Sequence, residues 1–293
     1  VGAYPQGVAL ADLNRDGKPD LVVVNFNSDS VSVLLGDGAG GFLPQTAFPV
    51  GAQPYGVVVA DFDGDGKLDI AVASAFELAV TISLGDGNGN FGVPIAACAV
   101  VAAPCNTGSA SLAGLAVGDF NGDGKPDIVT VDASNDLAIV LINQTTTPGT
   151  PVFAAPVTFG TGPIPYAVTV ADFNADGRLD IAVANVGCLE VSILLGDGAG
   201  NFTGPTNMPT NLAPASLVVA DFNRDGRPDI ATANIGSNDV SVLLNSGGGN
   251  FATNVDYPVG NYPVAMSAGD FDGDGIVDLL VANNSSGGFT VLR

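Results

Sequence analysis

Short apolar runs rich in Val, Ile and Ala alternate along the whole chain with clusters of Gly, Asp and Asn. Within residues 51–106 the alternation predicts four strands, at 55–62, 68–74, 79–84 and 91–97. A turn, Gly85-Asp86-Gly87-Asn88-Gly89-Asn90, separates the third run from the fourth. Its glycines can adopt the positive φ that tight hairpins need. The same turn stands at 36–41 and 196–201, and in altered form at 245–250. The third block has a longer threonine-rich loop at 143–151 in its place.

This block recurs six times, and a block of about 50 residues with four strands is the pattern of a propeller blade. The predicted fold is all-β: a six-bladed β-propeller of four-stranded blades around a central channel. Residues 1–293 would form a single propeller domain, with blades at about 1–50, 51–106, 107–160, 161–210, 211–260 and 261–293. A parallel β-helix would need shorter coils, and a sandwich would not repeat six times. Val1-Gly2 matches the fourth-strand tails Val50-Gly51 and Val259-Gly260, whereas 289–293 matches a third strand. The last blade is therefore expected to lack most of its outer strand, and a bare edge invites pairing with another chain.

Each block carries one nine-residue acidic loop between its first two runs. The loops begin at Asp12, Asp61, Asp119, Asp172, Asp221 and Asp270. Oxygen-bearing side chains occupy positions 1, 3, 5 and 9, position 6 is always Gly, and position 7 could offer its backbone carbonyl. The candidate ligand sets are Asp12, Asn14, Asp16, Lys18 and Asp20; Asp61, Asp63, Asp65, Lys67 and Asp69; and Asp119, Asn121, Asp123, Lys125 and Asp127. The other three are Asp172, Asn174, Asp176, Arg178 and Asp180; Asp221, Asn223, Asp225, Arg227 and Asp229; and Asp270, Asp272, Asp274, Ile276 and Asp278. Five or more oxygens around a sharp bend suit a hard cation of calcium's size, so about six Ca²⁺ ions are expected. The position-7 side chains would point outward. The apolar position 2 (Leu13, Phe62, Phe120, Phe173, Phe222, Phe271) would anchor each loop. An EF-hand is excluded because its bidentate Glu would fall on apolar residues such as Val23 and Val72. With no histidine, zinc is disfavoured. The bland alternative is a set of Asx-type turns, yet unneutralised carboxylates repeated at these offsets would repel.

These motifs resemble the FG-GAP or VCBS-type repeat of integrin α-subunit propellers and many bacterial extracellular proteins, over essentially the whole chain. The resemblance implies calcium in the loop between the first two strands, and ligand binding on the opposite face. Integrin-like propellers have seven blades, one more than the six blocks counted here.

Charge then sharpens the functional reading. The formal net charge is −22, with 30 acidic and 8 basic residues. Twenty of the acids and seven of the bases lie in the six loops, so the charge marks local sites rather than a tail. An acidic chain is repelled by nucleic acid and by anionic membranes, and no run of about 20 apolar residues suggests membrane insertion. Any export signal is expected to have been removed already. Cys98 and Cys105 could close a small loop in an oxidising compartment or stay unpaired; Cys188 has no evident partner. Four of the five tyrosines fall at the connections from a fourth strand to the next first strand, at Tyr4-Pro5, Pro54-Tyr55, Pro165-Tyr166 and Tyr262-Pro263. They could form a protein-binding surface or simply wedge the blades apart. No enzymatic activity is expected, because the commonest general base is missing and the aspartates are committed to the loops. The expectation is a secreted or cell-surface adhesion or protein-recognition scaffold. A structural subunit of an extracellular assembly, self-associating through the open edge, and a glycan-binding lectin remain as alternatives.

Overall fold

The computed structural model describes residues 1–75, 79–97 and 112–293. Cys98, Cys105 and the insertion between them lie outside the described residues. The fold is all-β, six antiparallel blade sheets in the propeller arrangement, each built from the strands of one repeat, with a further two-stranded hairpin, Asn245–Gly247 with Asn250–Phe251, before the last strand of the fifth. Five blade sheets have four strands and the sixth has three, as the repeat pattern requires.

Blade 2 shows how the sequence makes a blade. Its strands are Pro54–Ala60, Asp69–Ser74, Ala79–Ser83 and Ile95–Ala96, paired in order. The second strand is buried at every position, so it reads as a continuous apolar run rather than an alternation. The fourth is shorter than the sequence suggests. Phe91 instead makes an isolated bridge to Gly85, closing the turn before the chain extends. Gly85 is required there, since a Cβ would sit 2.0 Å from the Leu68 carbonyl oxygen.

One register holds throughout. The position-9 Asp is the first residue of every second strand and pairs with the last residue of the first: Ala11 with Asp20, Ala60 with Asp69, Gly118 with Asp127, Ala171 with Asp180, Ala220 with Asp229, and Gly269 with Asp278. The acidic loop therefore always leaves and re-enters the sheet at the same place. A one-residue slip would turn every buried Val and Ile of the second strand to the wrong face.

Two compact units make up the chain, the first holding blades 1 and 2 and most of blade 3, the second holding blades 4 to 6. In the first, Leu13, Val22, Val24, Ile70 and Val72 form one core between blades 1 and 2, and Phe62, Ile82, Ile128 and Leu141 another between blades 2 and 3. In the second, Phe173, Ile193, Ile230 and Leu243 fill the space between blades 4 and 5. The cluster between blades 5 and 6 is smaller: Ala231, Val240, Leu279 and Val281.

In four of the blades, at the end away from the acidic loop, a buried polar pair ties the second strand to the third. Asn25 Nδ2 donates to Ser32 Oγ, Asn185 to Ser192, Asn234 to Ser241, and Asn283 to Thr290, at 2.8–2.9 Å. At the same end, the residue before the first-strand proline is left-handed in five blades: Tyr4, Gln53, Ile164, Ala213 and Tyr262, with φ from 52° to 60°. Its carbonyl accepts a backbone N–H from the turn after the second strand, as in Tyr4 with Phe26 and Gln53 with Ala75. In three of the five its own N–H reaches the preceding blade: Gln53 donates to Asp29, Ile164 to Asp136, and Tyr262 to Asn238. These bonds hold the strained backbone in place.

Candidate metal centres

Each loop is folded by its own side chains. Glycine at position 6 has φ between 78° and 82° in all six loops, a conformation costly for any other residue. The bend turns successive backbone N–H groups onto the position-1 carboxylate. In loop 2, Asp61 Oδ1 accepts from Gly64 and Asp65, and Oδ2 from Gly66 at 2.7 Å. Asp12, Asp172 and Asp221 each accept from positions 5 and 6 in the same way. Where position 3 is Asn, it adds a second contact. Asn14, Asn174 and Asn223 donate through Nδ2 to the position-5 carboxylate.

Position 9 is the buried member. Asp20, Asp69, Asp180 and Asp229 each accept two backbone N–H bonds, one from position 2 of the loop and one from the first residue of the glycine turn. For Asp180 these come from Phe173 at 2.9 Å and Gly196 at 2.8 Å. Acidic loop and glycine turn thus share one end of the blade. Burial pushes the Asp69 carboxyl up to about 6, against the pull of the Gly85 and Phe62 amides, and the charges of Asp63 and Asp61 push the same way. Burial also raises Asp180 and Asp229 above the usual carboxylate range.

The basic position-7 side chains are 35–47% exposed, and each charged head lies beside the position-5 carboxylate. Lys18 and Lys125 lie 3.5 Å from Asp16 and Asp123, and Lys67, Arg178 and Arg227 pair with Asp65, Asp176 and Asp225. The tight bend leaves the two side chains adjacent, and the Lys67 and Arg178 stems lie on Gly87 and Gly198 of the glycine turn. The Lys67 hydrogen bond holds Asp65 below its ordinary value, as do that lysine's charge and that of Arg15. Loop 6 has Ile276 at this position and draws its nearby cation from Arg293, 3.6 Å from Asp272.

The position-2 anchors are deep in Leu13, Phe62, Phe120 and Phe173, all 2% exposed or less, and half-buried in Phe222. Phe271 departs from the expectation, being 51% exposed. Within the units, Phe153 of blade 3 covers Phe62, and Phe251 of blade 5 covers Phe173. No following blade of the second unit supplies such a ring to Phe271.

Two loops gather three carboxylates: Asp61, Asp63 and Asp65 in loop 2, and Asp270, Asp272 and Asp278 in loop 6, with ligand atoms within 4.8 Å of one another. Calcium holds its oxygens at about 2.3–2.6 Å, so ligands on opposite sides of the ion lie up to about 5 Å apart. The residues therefore fit one calcium-sized cation per loop, and the all-oxygen donor set suits it. Position 9 enters the cluster in loop 6 and position 5 in loop 2. A cavity of about 500 Å³ opens between loops 2 and 3, lined by Asp61, Asp63, Asp119 and Lys125 among others.

Sequence reasoning missed Arg15 and Arg224. Each occupies position 4 of a loop, and each precedes one of the two four-aspartate loops. Arg15 donates to the Gly66 carbonyl of loop 2. Its Nη2 lies 3.8 Å from where a Gly66 Cβ would be, and Arg224 stands at the same 3.8 Å from Gly275 of loop 6. The signal was available: arginine stands at position 4 in these two loops and in none of the other four. Cys188 is a half-buried free thiol in the turn after a second strand; burial first, then the Glu190 charge, push it up to about 11.

The FG-GAP-like repeat family matches residues 12–72, 119–183, 173–232 and 231–281, and the FG-GAP repeat family matches residues 54–92. No curated protein matches the chain. Among solved structures, a putative 6-phosphogluconolactonase from Bacteroides uniformis superposes with a TM-score of 0.71 at 16% identity, over 99% of this chain and 81% of that one. BBS1N in complex with ARL6DN superposes at 0.66 with 15% identity, over 99% and 80%. An Agrocybe aegerita lectin that recognises non-reducing terminal N-acetylglucosamine superposes at 0.58 with 23% identity, over 85% and 65%. At such identities the likeness is one of fold. The matched repeats span well over half of the residues, and their acidic loops are those built up above: the chain belongs to the FG-GAP repeat family.

Proposed function

We propose that this chain is a calcium-stabilised, extracellular recognition scaffold that binds a protein or surface ligand and performs no catalysis. The observation that carries the reading is the convergence of carboxylate oxygens in loops 2 and 6, at a spacing one calcium ion spans. The residues that would hold the ion are positions 1, 3, 5 and 9 of each loop, with the position-7 carbonyl. A bound cation would offset the mutual repulsion of these carboxylates at the base of each sheet. The family's association with extracellular proteins supports the location. At the other end of the blades, Tyr4 and Tyr262 are exposed and Ile164 stands out beside its proline, while Tyr55 and Tyr166 are half-buried. Exposed aromatics with few charges suit a protein-binding surface.

A melting experiment in calcium and in chelator tests the metal reading. Open extracellular sites bind at about 10⁻⁴ to 10⁻³ M, so ten times Kd contributes about 1.4 kcal/mol per loop. Six loops would raise the melting temperature by at least ~10 °C. Identical melts in calcium and chelator would refute the stabilising role.

A second reading, glycan recognition, has its own support. Phe26, Asn27, Asp29 and Gln53 line a hollow of about 250 Å³ on the first unit, an aromatic face beside amides and a carboxylate. Tyr4 and Tyr55 flank Phe26 with ring centroids 6.0 and 6.3 Å away. A glycan array with no hits, or hits that survive Phe26→Ala, would remove it.

A further inference from the structure

We propose that the cavity between acidic loops 2 and 3 binds a guanidinium group, carried by an arginine side chain of a partner polypeptide. The chain's own repeats show what this place in the fold takes. In the first unit, Arg15 stands at position 4 of loop 1 and crosses to loop 2, where its guanidinium donates to the carbonyl of Gly66 at position 6. In the second unit, Arg224 holds the same position in loop 5, and its Nη2 stands beside Gly275 at position 6 of loop 6. A position-4 arginine thus bridges two successive loops.

Between loops 2 and 3 the same two positions are Gly64 and Gly124, and both line the cavity of about 500 Å³. Glycine supplies no side chain to cross the gap. A Cβ added to either residue would meet no atom within 4 Å, so the space above both is open. Asp61, Asp63 and Asp119 give the walls their charge, and Val117 adds an apolar surface. Carboxylates and a backbone carbonyl beside an apolar wall match a planar guanidinium and its methylene stem. Lys125 also borders the cavity, but its ammonium lies 3.5 Å from Asp123.

The walls are held by the protein itself. Asn143 donates through Nδ2 to the carbonyls of Phe62 and Pro126, joining loop 2 to loop 3, and the Gly149 amide donates to Asp63 Oδ2 at 2.7 Å. Both residues belong to the threonine-rich segment at 143–151, which stands in blade 3 where blades 1, 2 and 4 have the short glycine turn. The cavity exceeds what one guanidinium fills and falls in the range of about 300–1,000 Å³ usual for ligand sites. Room for residues flanking the arginine favours a polypeptide over a small free cation. The proposal rests on reading the chain as a protein-recognition module, and adds a site at the opposite end of the blades from the exposed tyrosines.

The probe is acetyl-Gly-Arg-Gly-amide, titrated into the whole protein in chelator and in calcium and followed by amide NMR shifts. Saturable shifts at Gly64 and Gly124 are expected in both buffers, because the Gly124 carbonyl is not among the groups assigned to the metal. The same peptide with citrulline for arginine, neutral and nearly the same shape, should bind at least about tenfold more weakly. Gly64→Arg should abolish binding by placing the chain's own guanidinium in the recess, whereas Gly64→Ala should still bind. The backbone accommodates both, since Arg15, Ala175 and Arg224 already hold position 4 at φ of 60–61°. No saturable shift, equal binding of the two peptides, or binding unchanged by Gly64→Arg overturns the proposal. So does methylguanidinium binding as tightly as the peptide, because the site would then hold a small cation. Binding lost in calcium also overturns it, because ion and guanidinium would then be rivals for the same carboxylates. A failed titration would leave recognition at the tyrosine end untouched, so the two readings fail separately.

Discussion

Asp180→Ala should be far more damaging than its neighbours in the loop, and should be so without any metal. The carboxylate is fully buried and accepts the Phe173 and Gly196 amides at 2.9 and 2.8 Å. Alanine leaves both amides without a partner inside the protein. A buried backbone donor stripped of its acceptor costs about 1–3 kcal/mol, so the pair costs about 2–6 kcal/mol. That is a large part of a typical stability of about 5–15 kcal/mol. Asp180→Asn keeps the shape and one acceptor but turns an NH₂ toward the second amide, and should cost about half as much. Asp176→Ala, in the same loop, removes an exposed carboxylate paired with Arg178 and should barely move the midpoint. Urea unfolding in chelator, followed by circular dichroism, measures all three with metal effects removed. If Asp180→Ala stayed within about 0.5 kcal/mol of the parent protein, the position-9 carboxylate could not be the clamp joining loop and glycine turn.

Arg15→Gln removes a positive charge and a hydrogen bond from loop 2 together. Metal-free melting temperature should fall, while calorimetric calcium affinity at that loop should rise roughly three- to tenfold at low salt and less at high salt, and a salt-independent change would contradict the electrostatic account. Cys188 should alkylate slowly at pH 8, with its peptide followed by mass spectrometry. A rise in thiol pKa from 9 to about 11 cuts the thiolate about a hundredfold, and its higher nucleophilicity restores about tenfold, leaving a net tenfold lag behind a free cysteine. Labelling at the free-cysteine rate would show the thiol to be unburied.

The repeat was legible because its spacing is chemical. Glycine at position 6 and aspartate at position 9 leave little freedom in the bend, so the loops, their order and the three-stranded last sheet could all be read from residue types. The Asn25, Asn185, Asn234 and Asn283 pairs were missed because an Asn ending an apolar run looks like the start of a turn. Only the register shows that it faces a Ser or Thr on the next strand. The contact of the Lys67 and Arg178 stems with the glycine turn was hidden for a related reason: spacing along the chain says nothing about how that turn folds over them. Phe271 looks like its five counterparts in sequence, but its exposure depends on what the next blade brings, which no local pattern encodes.

The left-handed residues before the first-strand prolines have an evolutionary consequence. Their backbone is fixed by a bond to a main-chain group in all five and by a carboxylate or amide next door in three, while the residue itself is Tyr, Gln, Ile, Ala or Tyr. What the surface offers at these points can therefore be rewritten one codon at a time without disturbing the framework beneath. A lineage could change its binding partner there and keep the same fold.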